Sequence, residues 1–122
     1  MQETMAMNVL AAGEGWAEVV GHPRQEFNNP MGRTHGGYAA TLIDTALGCA
    51  VMSVQSKGVR FGTVELEGEL RGENRPRDWP RHLPRHTLHA GRTMLTAEAK
   101  VVDGAGKLLA HGSGTFLVFP KQ

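Results

Sequence analysis

The segment NPMGRTHGGYAATLIDTALG, residues 29–48, combines a polar loop, a His-Gly-Gly turn and the first turns of an apolar helix. Asp44 stands in the middle of that helix, among small and aliphatic neighbours: Ala39, Ala40, Leu42, Ile43, Ala46 and Leu47. A buried ionised carboxylate is unfavourable unless it is paired, hydrogen-bonded or used in chemistry. Asp44 is therefore the first candidate for a functional residue.

The elements around this segment can be predicted from turn chemistry and apolar spacing. Thr34 is the predicted N-cap of a helix that runs to about Ser53. That helix has few polar residues on any side, which is typical of a buried helix. Residues 22–33 contain prolines, asparagines and a glycine and are predicted to form an irregular loop. Residues 15–21 are predicted to form a strand and residues 1–12 a short helix.

Three strands are predicted after the helix, at residues 61–70, 93–102 and 107–119. Residues 103–106, Asp-Gly-Ala-Gly, have the composition of a hairpin turn between the last two. Consecutive strands joined by tight turns are antiparallel, so the fold class is α+β rather than a βαβ fold. One buried helix wrapped by an antiparallel sheet is the arrangement of the hotdog fold. The 122 residues are predicted to be one domain, 1–122.

The overall composition does not point to a charged partner or to an oxidising compartment. The net charge is +1, which gives no reason to expect nucleic acid or an anionic membrane as a partner. The single cysteine, Cys49, cannot form a disulfide within the chain, and we expect a cytoplasmic protein. The first residues do not have the pattern of a signal peptide, and no run of about 18 apolar residues could span a bilayer.

The quoted segment resembles the signature of the PaaI-type hotdog acyl-CoA thioesterases, within the superfamily of the 4-hydroxybenzoyl-CoA thioesterases. In that signature Asn-x-x-Gly-x-x-His-Gly-Gly is followed by an aspartate on the central helix. The segment LHAGRTMLTAEAKVVDGAGKLLAHGSGTFLVF is also similar to the closing strands of the family. The resemblance covers roughly residues 13–66 and 88–119, and the composite motif is more specific than His-Gly-Gly alone.

The motif predicts two chemical groups. If Gly36 and Gly37 begin the helix, their amides are unpaired donors at the positive end of its dipole, suited to a carbonyl oxygen or an oxyanion. Asp44 would then be a general base or nucleophile for thioester hydrolysis. Gly36 and Asp44 are about 12 Å apart along a helix. Either they have different tasks, or two chains assemble one site; the resemblance implies the second, a homodimer with shared sites or a tetramer made of two such dimers.

The resemblance also implies roles for residues outside the helix. Asn29 would orient the attacking water or the substrate carbonyl, although Asn-Pro is also ordinary turn chemistry. His35 would support the loop or donate a hydrogen bond near the thioester, and Thr63 would supply a hydroxyl where some relatives have serine. Each of these two has an equally plausible structural role. Gly91 and Arg92 would lie near the CoA tail, where an arginine could pair with phosphate, unless Arg92 is only a solvated residue of a hairpin.

Residues 67–87 depart from the family pattern. The segment holds five arginines and three prolines and has almost no apolar alternation, where the family has a strand, a turn and another strand. A nucleic-acid patch is one alternative, but Trp79 is its only aromatic residue. A metal site is another, at His82, His86 and His89. A compensated pair of frameshifts is a third, because a one-base shift allows codons for a strand, a turn and a strand.

The sequence thus predicts an acyl-CoA thioesterase in which Asp44 activates water and the Gly36 amide polarises the thioester carbonyl. Coenzyme A enters as part of the substrate, and no metal or redox cofactor is expected. Gly37, Gly91 and Arg92 are the predicted substrate contacts. The alternative is a hotdog protein that binds acyl-CoA without catalysis, or a variant inactivated by its altered residues 67–87.

Overall fold

The computed structural model describes residues 3–55, 58–70, 85–90, 94–102 and 106–119, with the side chains of residues 70 and 85–90 left undescribed. Within these residues the structure has six strands and one long α-helix, together with a short 3-10 helix at Gln25–Phe27. In chain order the elements are β1 (Met7–Gly13), β2 (Trp16–Gly21), α1 (Gly36–Ser53), β3 (Arg60–Leu70), β4 (Arg85–Ala90), β5 (Met94–Val102) and β6 (Leu108–Phe119).

The sheet wraps around α1. β1 pairs with β2 in one antiparallel ribbon, and β3, β6, β5 and β4 lie in that order in an antiparallel sheet. β4 runs close to β2, and α1 contacts all six strands. This is the α+β hotdog architecture that the order of helix and strands predicts, and that prediction is confirmed.

The core lies between α1 and the concave face of the sheet. Its largest fully buried side chains come from α1 (Leu42, Ile43, Leu47 and Val51) and from the strands (Val19, Leu95, Val101 and Phe116). α1 packs closely on β6: a Cβ on Gly114 would lie 3.0 Å from Leu47 Cδ1, and one on Gly112 would lie 3.4 Å from Ile43 Cγ2. Alternate glycines in β6 therefore make room for the helix.

The sequence predictions fail at the beginning of the chain. The predicted short helix at residues 1–12 is wrong, because β1 occupies the second half of that range and is joined to β2 by the two-residue turn Glu14–Gly15. Gly15 has a φ of 79°, which glycine adopts readily in such a turn. Most of β1 is exposed, so its residues do not show the apolar alternation that would have revealed a strand.

The predicted strands after the helix are confirmed within one or two residues by β3, β5 and β6. β4 was missed, since it is short, carries charged and polar residues and follows directly after Pro84. The last four residues of β3 belong to the atypical segment 67–87, whereas residues 71–84 lie outside the described part of the chain. The nucleic-acid, metal and frameshift explanations for that segment therefore remain hypotheses.

Candidate active site

The site begins at the N-terminus of α1. His35, not the predicted Thr34, is the N-cap residue: its Nδ1 accepts a hydrogen bond of 2.9 Å from the Gly37 amide. Neutral His35 therefore carries its proton on Nε2. A Cβ on Gly37 would lie only 3.0 Å from His35 Nδ1, so glycine at this position allows the cap to form. Thr34 is instead buried, and its Oγ1 has no partner among the described residues.

The cap distinguishes the two glycine amides. The Gly37 amide is already hydrogen-bonded to His35, whereas the Gly36 amide, the first of α1, has no hydrogen-bond partner within the described residues. The first amides of a helix point along its axis at the positive end of the dipole. Gly36 therefore provides the free donor that the motif predicts, and the structure gives Gly37 a role in capping.

Asp44 lies on α1 but outside the core. It is half-exposed, in a stripe of the helix made of small or weakly polar residues: Gly37, Ala40, Thr41, Asp44, Thr45, Gly48 and Cys49. The expectation of a fully buried carboxylate is wrong for the single chain. Small residues carry no clear polarity signal, so the sequence could not separate this stripe from the buried face of the helix.

Thr63, to which the family resemblance assigns a hydroxyl role, lies beside Asp44. The Thr63 hydroxyl donates a hydrogen bond of 2.9 Å to Asp44 Oδ1 and so joins β3 to α1. A β-bulge at Val64 makes this geometry compatible with the rest of β3: Thr63 is opposite the buried Phe116, while Glu65 is opposite Thr115. The extra residue reverses the alternation, so Thr63 faces α1 and the following glutamates face outward. Bulges commonly redirect side chains in this way near active sites.

Asn29 organises the loop before α1. Its Oδ1 accepts hydrogen bonds from the amides of Met31 and Arg33, at 3.0 and 3.2 Å, and its own amide donates to the Arg33 carbonyl at 2.7 Å. Gly32, with a φ of 78°, completes the turn. Asn29 therefore has the structural role in the turn that the sequence allows, and its side-chain nitrogen has no partner among the described residues.

The sequence did not reveal a cavity of about 250 Å³ at the start of α1. It is lined by Met5, Glu26, Phe27, Asn28, His35 and Tyr38. The rings of Phe27 and Tyr38 stack at 5.3 Å, and Tyr38 donates a hydrogen bond to the Ala6 carbonyl. Burial raises the pKa of Tyr38 to about 12. Aromatic residues on both sides of the His-Gly-Gly motif are the only sequence signal for this cavity.

Within the described part of the chain, the predicted site residues do not all lie close together. Gly36 and Asp44 occupy the same helix eight positions apart, about 12 Å along its axis. Gly91 and Arg92 lie outside the described residues.

In the described part of the chain no three His, Cys, Asp or Glu side chains form a group that could hold a metal ion. Within the same residues, no helix combines the length and hydropathy required to cross a membrane.

Comparisons with known proteins agree with the architecture. The chain is similar to the structure of a conserved protein from Pseudomonas aeruginosa, with 30% identity, a TM-score of 0.89, and coverage of 97% of this chain and 92% of that one. A thioesterase from Haemophilus influenzae has the same fold, with 18% identity, a TM-score of 0.87, and coverage of 97% and 81%. So does a thioesterase family protein from Silicibacter pomeroyi, with 19% identity, a TM-score of 0.89, and coverage of 98% and 89%.

Sequence comparison identifies the family. No curated protein sequence matches the chain significantly. The family model of the thioesterase superfamily matches residues 31–110, more than half of the chain, and the match includes the His-Gly-Gly motif, Asp44 and Thr63. The chain belongs to the thioesterase superfamily.

Proposed function

We propose that the protein hydrolyses acyl-CoA thioesters to a free acid and CoA. The observation that carries this proposal is the hydrogen bond of 2.9 Å between Thr63 and Asp44, which fixes a half-exposed carboxylate in a member of the thioesterase superfamily. A carboxylate held by a neighbouring hydroxyl, on an otherwise uncharged helix, is suited to general-base chemistry. The PaaI-type resemblance of the motif supports acyl-CoA as the substrate.

In the proposed reaction, Asp44 Oδ1 accepts the Thr63 hydrogen bond while Oδ2 accepts a proton from the attacking water. The water oxygen forms a bond to the thioester carbon, and the carbonyl oxygen becomes an oxyanion that accepts a hydrogen bond from the Gly36 amide. The C–S bond then breaks, and the proton held by Asp44 passes to the departing CoA sulfur. Asn29, through its side-chain nitrogen, is proposed to orient the water or the carbonyl. His35 is proposed to hold the helix N-terminus in place.

We propose that two chains form each site. The separation of about 12 Å between Gly36 and Asp44 is too large for one thioester carbon to contact both within one chain. Two features support a dimer: the stripe of α1 that carries Asp44 is half-exposed, and the neighbouring β3 is an edge strand with exposed apolar residues, Val64 and Leu66. An exposed apolar edge strand is normally covered in a native protein. A homodimer, or a tetramer of two dimers, would place Gly36 of one chain opposite Asp44 of the other.

The remaining proposals concern the CoA moiety and the cellular setting. Gly91 and Arg92 are proposed to contact the CoA tail, with the arginine paired to phosphate. No metal or redox cofactor is required by the proposed reaction, in which water is the only co-reactant. A cytoplasmic location agrees with the availability of acyl-CoA there.

The proposal is tested by measuring thiol release from a panel of acyl-CoA esters with the wild type and Asp44→Asn. The matched control is Glu98→Gln, which also replaces a carboxylate by an amide of the same size, on the exposed side of β5. We expect turnover in the wild type and control, and a decrease of about 10²-fold or more in Asp44→Asn, the range of general-base catalysis. Binding of acyl-CoA without turnover by the folded wild type would instead identify a non-catalytic binding protein.

A further inference from the structure

The loop before α1 is closed at its base by Asn28 and Thr34, which form an isolated antiparallel bridge. The backbone hydrogen bonds beside the bridge join Asn29 to Arg33, at 2.7 Å, and the residues just outside it, 27 and 35, at 2.8 Å. Asn28 and Thr34 are therefore a pair that exchanges no backbone hydrogen bond. In such a pair the Cα atoms are about 4.5 Å apart and the two side chains lie on the same side of the ribbon. The two side chains are thus neighbours at the base of the loop.

Each of these two side chains has a buried oxygen that no described residue satisfies. The atoms are Asn28 Oδ1 and Thr34 Oγ1, and they do not form a hydrogen bond with each other. The whole of Thr34 is only 3% exposed. Buried polar atoms in proteins are nearly always hydrogen-bonded, either to another protein group or to an ordered water. Two such oxygens on neighbouring side chains therefore indicate a shared ligand.

The chemistry of the two oxygens fits one water molecule. An amide oxygen only accepts hydrogen bonds, whereas a hydroxyl both donates and accepts. A water can donate to Asn28 Oδ1 and can donate to Thr34 Oγ1 or accept from it. It can therefore connect two oxygens that do not bond directly, as internal waters commonly do.

The pair lies between the two groups that the proposed reaction uses in this part of the chain. Asn28 directly precedes Asn29, whose side-chain nitrogen is proposed to orient the water or the carbonyl. Thr34 stands two residues before Gly36, the proposed oxyanion donor. A link across the base of the loop fixes the distance between these two donors. That distance matters, because misplacement of a reacting group by about 1 Å can lower a rate about 10²-fold.

We propose that Asn28 Oδ1 and Thr34 Oγ1 hold one internal water, through which both residues position the two donors of the loop. This water takes no part in bond formation or cleavage. It is distinct from the water that attacks the thioester, because both of its oxygen partners are buried. The positioning role rests on the proposed thioester hydrolysis, whereas the water site does not.

The water site is tested by crystal structures of the wild type and Thr34→Val at a resolution that shows ordered waters. Valine has nearly the shape of threonine and lacks the hydroxyl, so the fold should be retained. We expect one water within about 3.2 Å of both oxygens in the wild type and no water there in Thr34→Val. A wild-type structure without this water, or a water that stays in place in Thr34→Val, would overturn the proposal.

The positioning role is tested by steady-state thiol release with Thr34→Val, Asn28→Leu and the double variant. Each single change should lower kcat about tenfold and change KM less than about twofold, because the two donors act mainly in the transition state. The double variant should be no slower than the single variants, since both changes remove the same water. Thr34→Ser keeps the hydroxyl and should stay within about threefold of the wild type. The control is Thr96→Val, the same replacement on the outward side of β5, which should leave kcat unchanged.

The two experiments separate the positioning role from the proposed hydrolysis. If the wild type contains the water and hydrolyses no ester, the water site stands and the proposed function fails. In an active enzyme, additive effects of the two changes on kcat would overturn the positioning role, as would equal losses of kcat in Thr34→Ser and Thr34→Val. A lower Tm with unchanged kcat per folded chain would also overturn it, because the water would then only stabilise the loop.

Discussion

Replacement of Gly36 by proline removes one hydrogen-bond donor and little else. Proline has no N–H, and it is well accommodated at the first position of a helix, where Gly36 stands. The preceding residue must be extended, and His35 already has a φ of −59° and a ψ of 137°. The change should therefore leave the fold intact and add up to about 1 kcal/mol of stability, because it restricts the unfolded chain.

The expected effect on catalysis is much larger. Loss of one oxyanion-hole donor costs roughly 10²- to 10³-fold in kcat, or about 3 to 4 kcal/mol of transition-state stabilisation. Gly36→Ala is the matched control, because it adds a Cβ as proline does and keeps the amide. Steady-state thiol release should show the large decrease in Gly36→Pro alone, while circular dichroism and Tm show that both variants are folded. If the proline variant were within about threefold of the alanine variant, the Gly36 amide would not be the oxyanion donor.

Three further predictions concern neighbouring groups. Thr63→Val removes the hydrogen bond to Asp44 and should lower kcat about 10- to 100-fold, which corresponds to the free energy of a hydrogen bond to a charged acceptor. The control is Thr45→Val, because the Thr45 hydroxyl donates only to a backbone carbonyl; it should change kcat less than about threefold. Equal effects of the two changes on kcat would refute a catalytic role for the bond between Thr63 and Asp44. His35→Ala removes the helix cap and should lower the unfolding free energy, measured by denaturant titration, by about 1 kcal/mol. His35→Asn keeps a capping side chain and should restore the wild-type unfolding free energy. Equal unfolding free energies for the two variants would contradict the capping role. Burial raises the pKa of the Cys49 thiol, so at pH 8 iodoacetamide should alkylate the native protein more slowly than the guanidinium-unfolded protein, and equal rates would contradict that environment.

The sequence predicted the fold because its strongest signals agree with one another. The apolar run after His-Gly-Gly, the alternation in the last strands and the tight turn between them all require one helix against an antiparallel sheet. β1 and β4 could not be recognised, because exposed strands and strands rich in charged residues do not show the alternation that burial imposes.

The sequence indicated only part of the geometry of the candidate site, and the gaps have physical reasons. Asp44 and Thr63 were both identified, although their separation of 19 residues gave no distance between them. The bulge at Val64, which turns Thr63 towards α1, depends on strand pairing and has no local sequence signature. The cavity at Phe27 and Tyr38 depends on how the loop folds back on the helix, which composition cannot define.

The central claim is that Gly36 of one chain and Asp44 of another act on the same thioester. It is tested most directly by unfolding and refolding Gly36→Pro and Asp44→Asn together, each being nearly inactive alone. In a mixed dimer with shared sites, one site combines both changes and the other is wild type in both residues. Random assortment then predicts recovery of about a quarter of wild-type activity. Recovery no greater than the average of the two variants alone would contradict the account, because it would mean that each site lies within one chain.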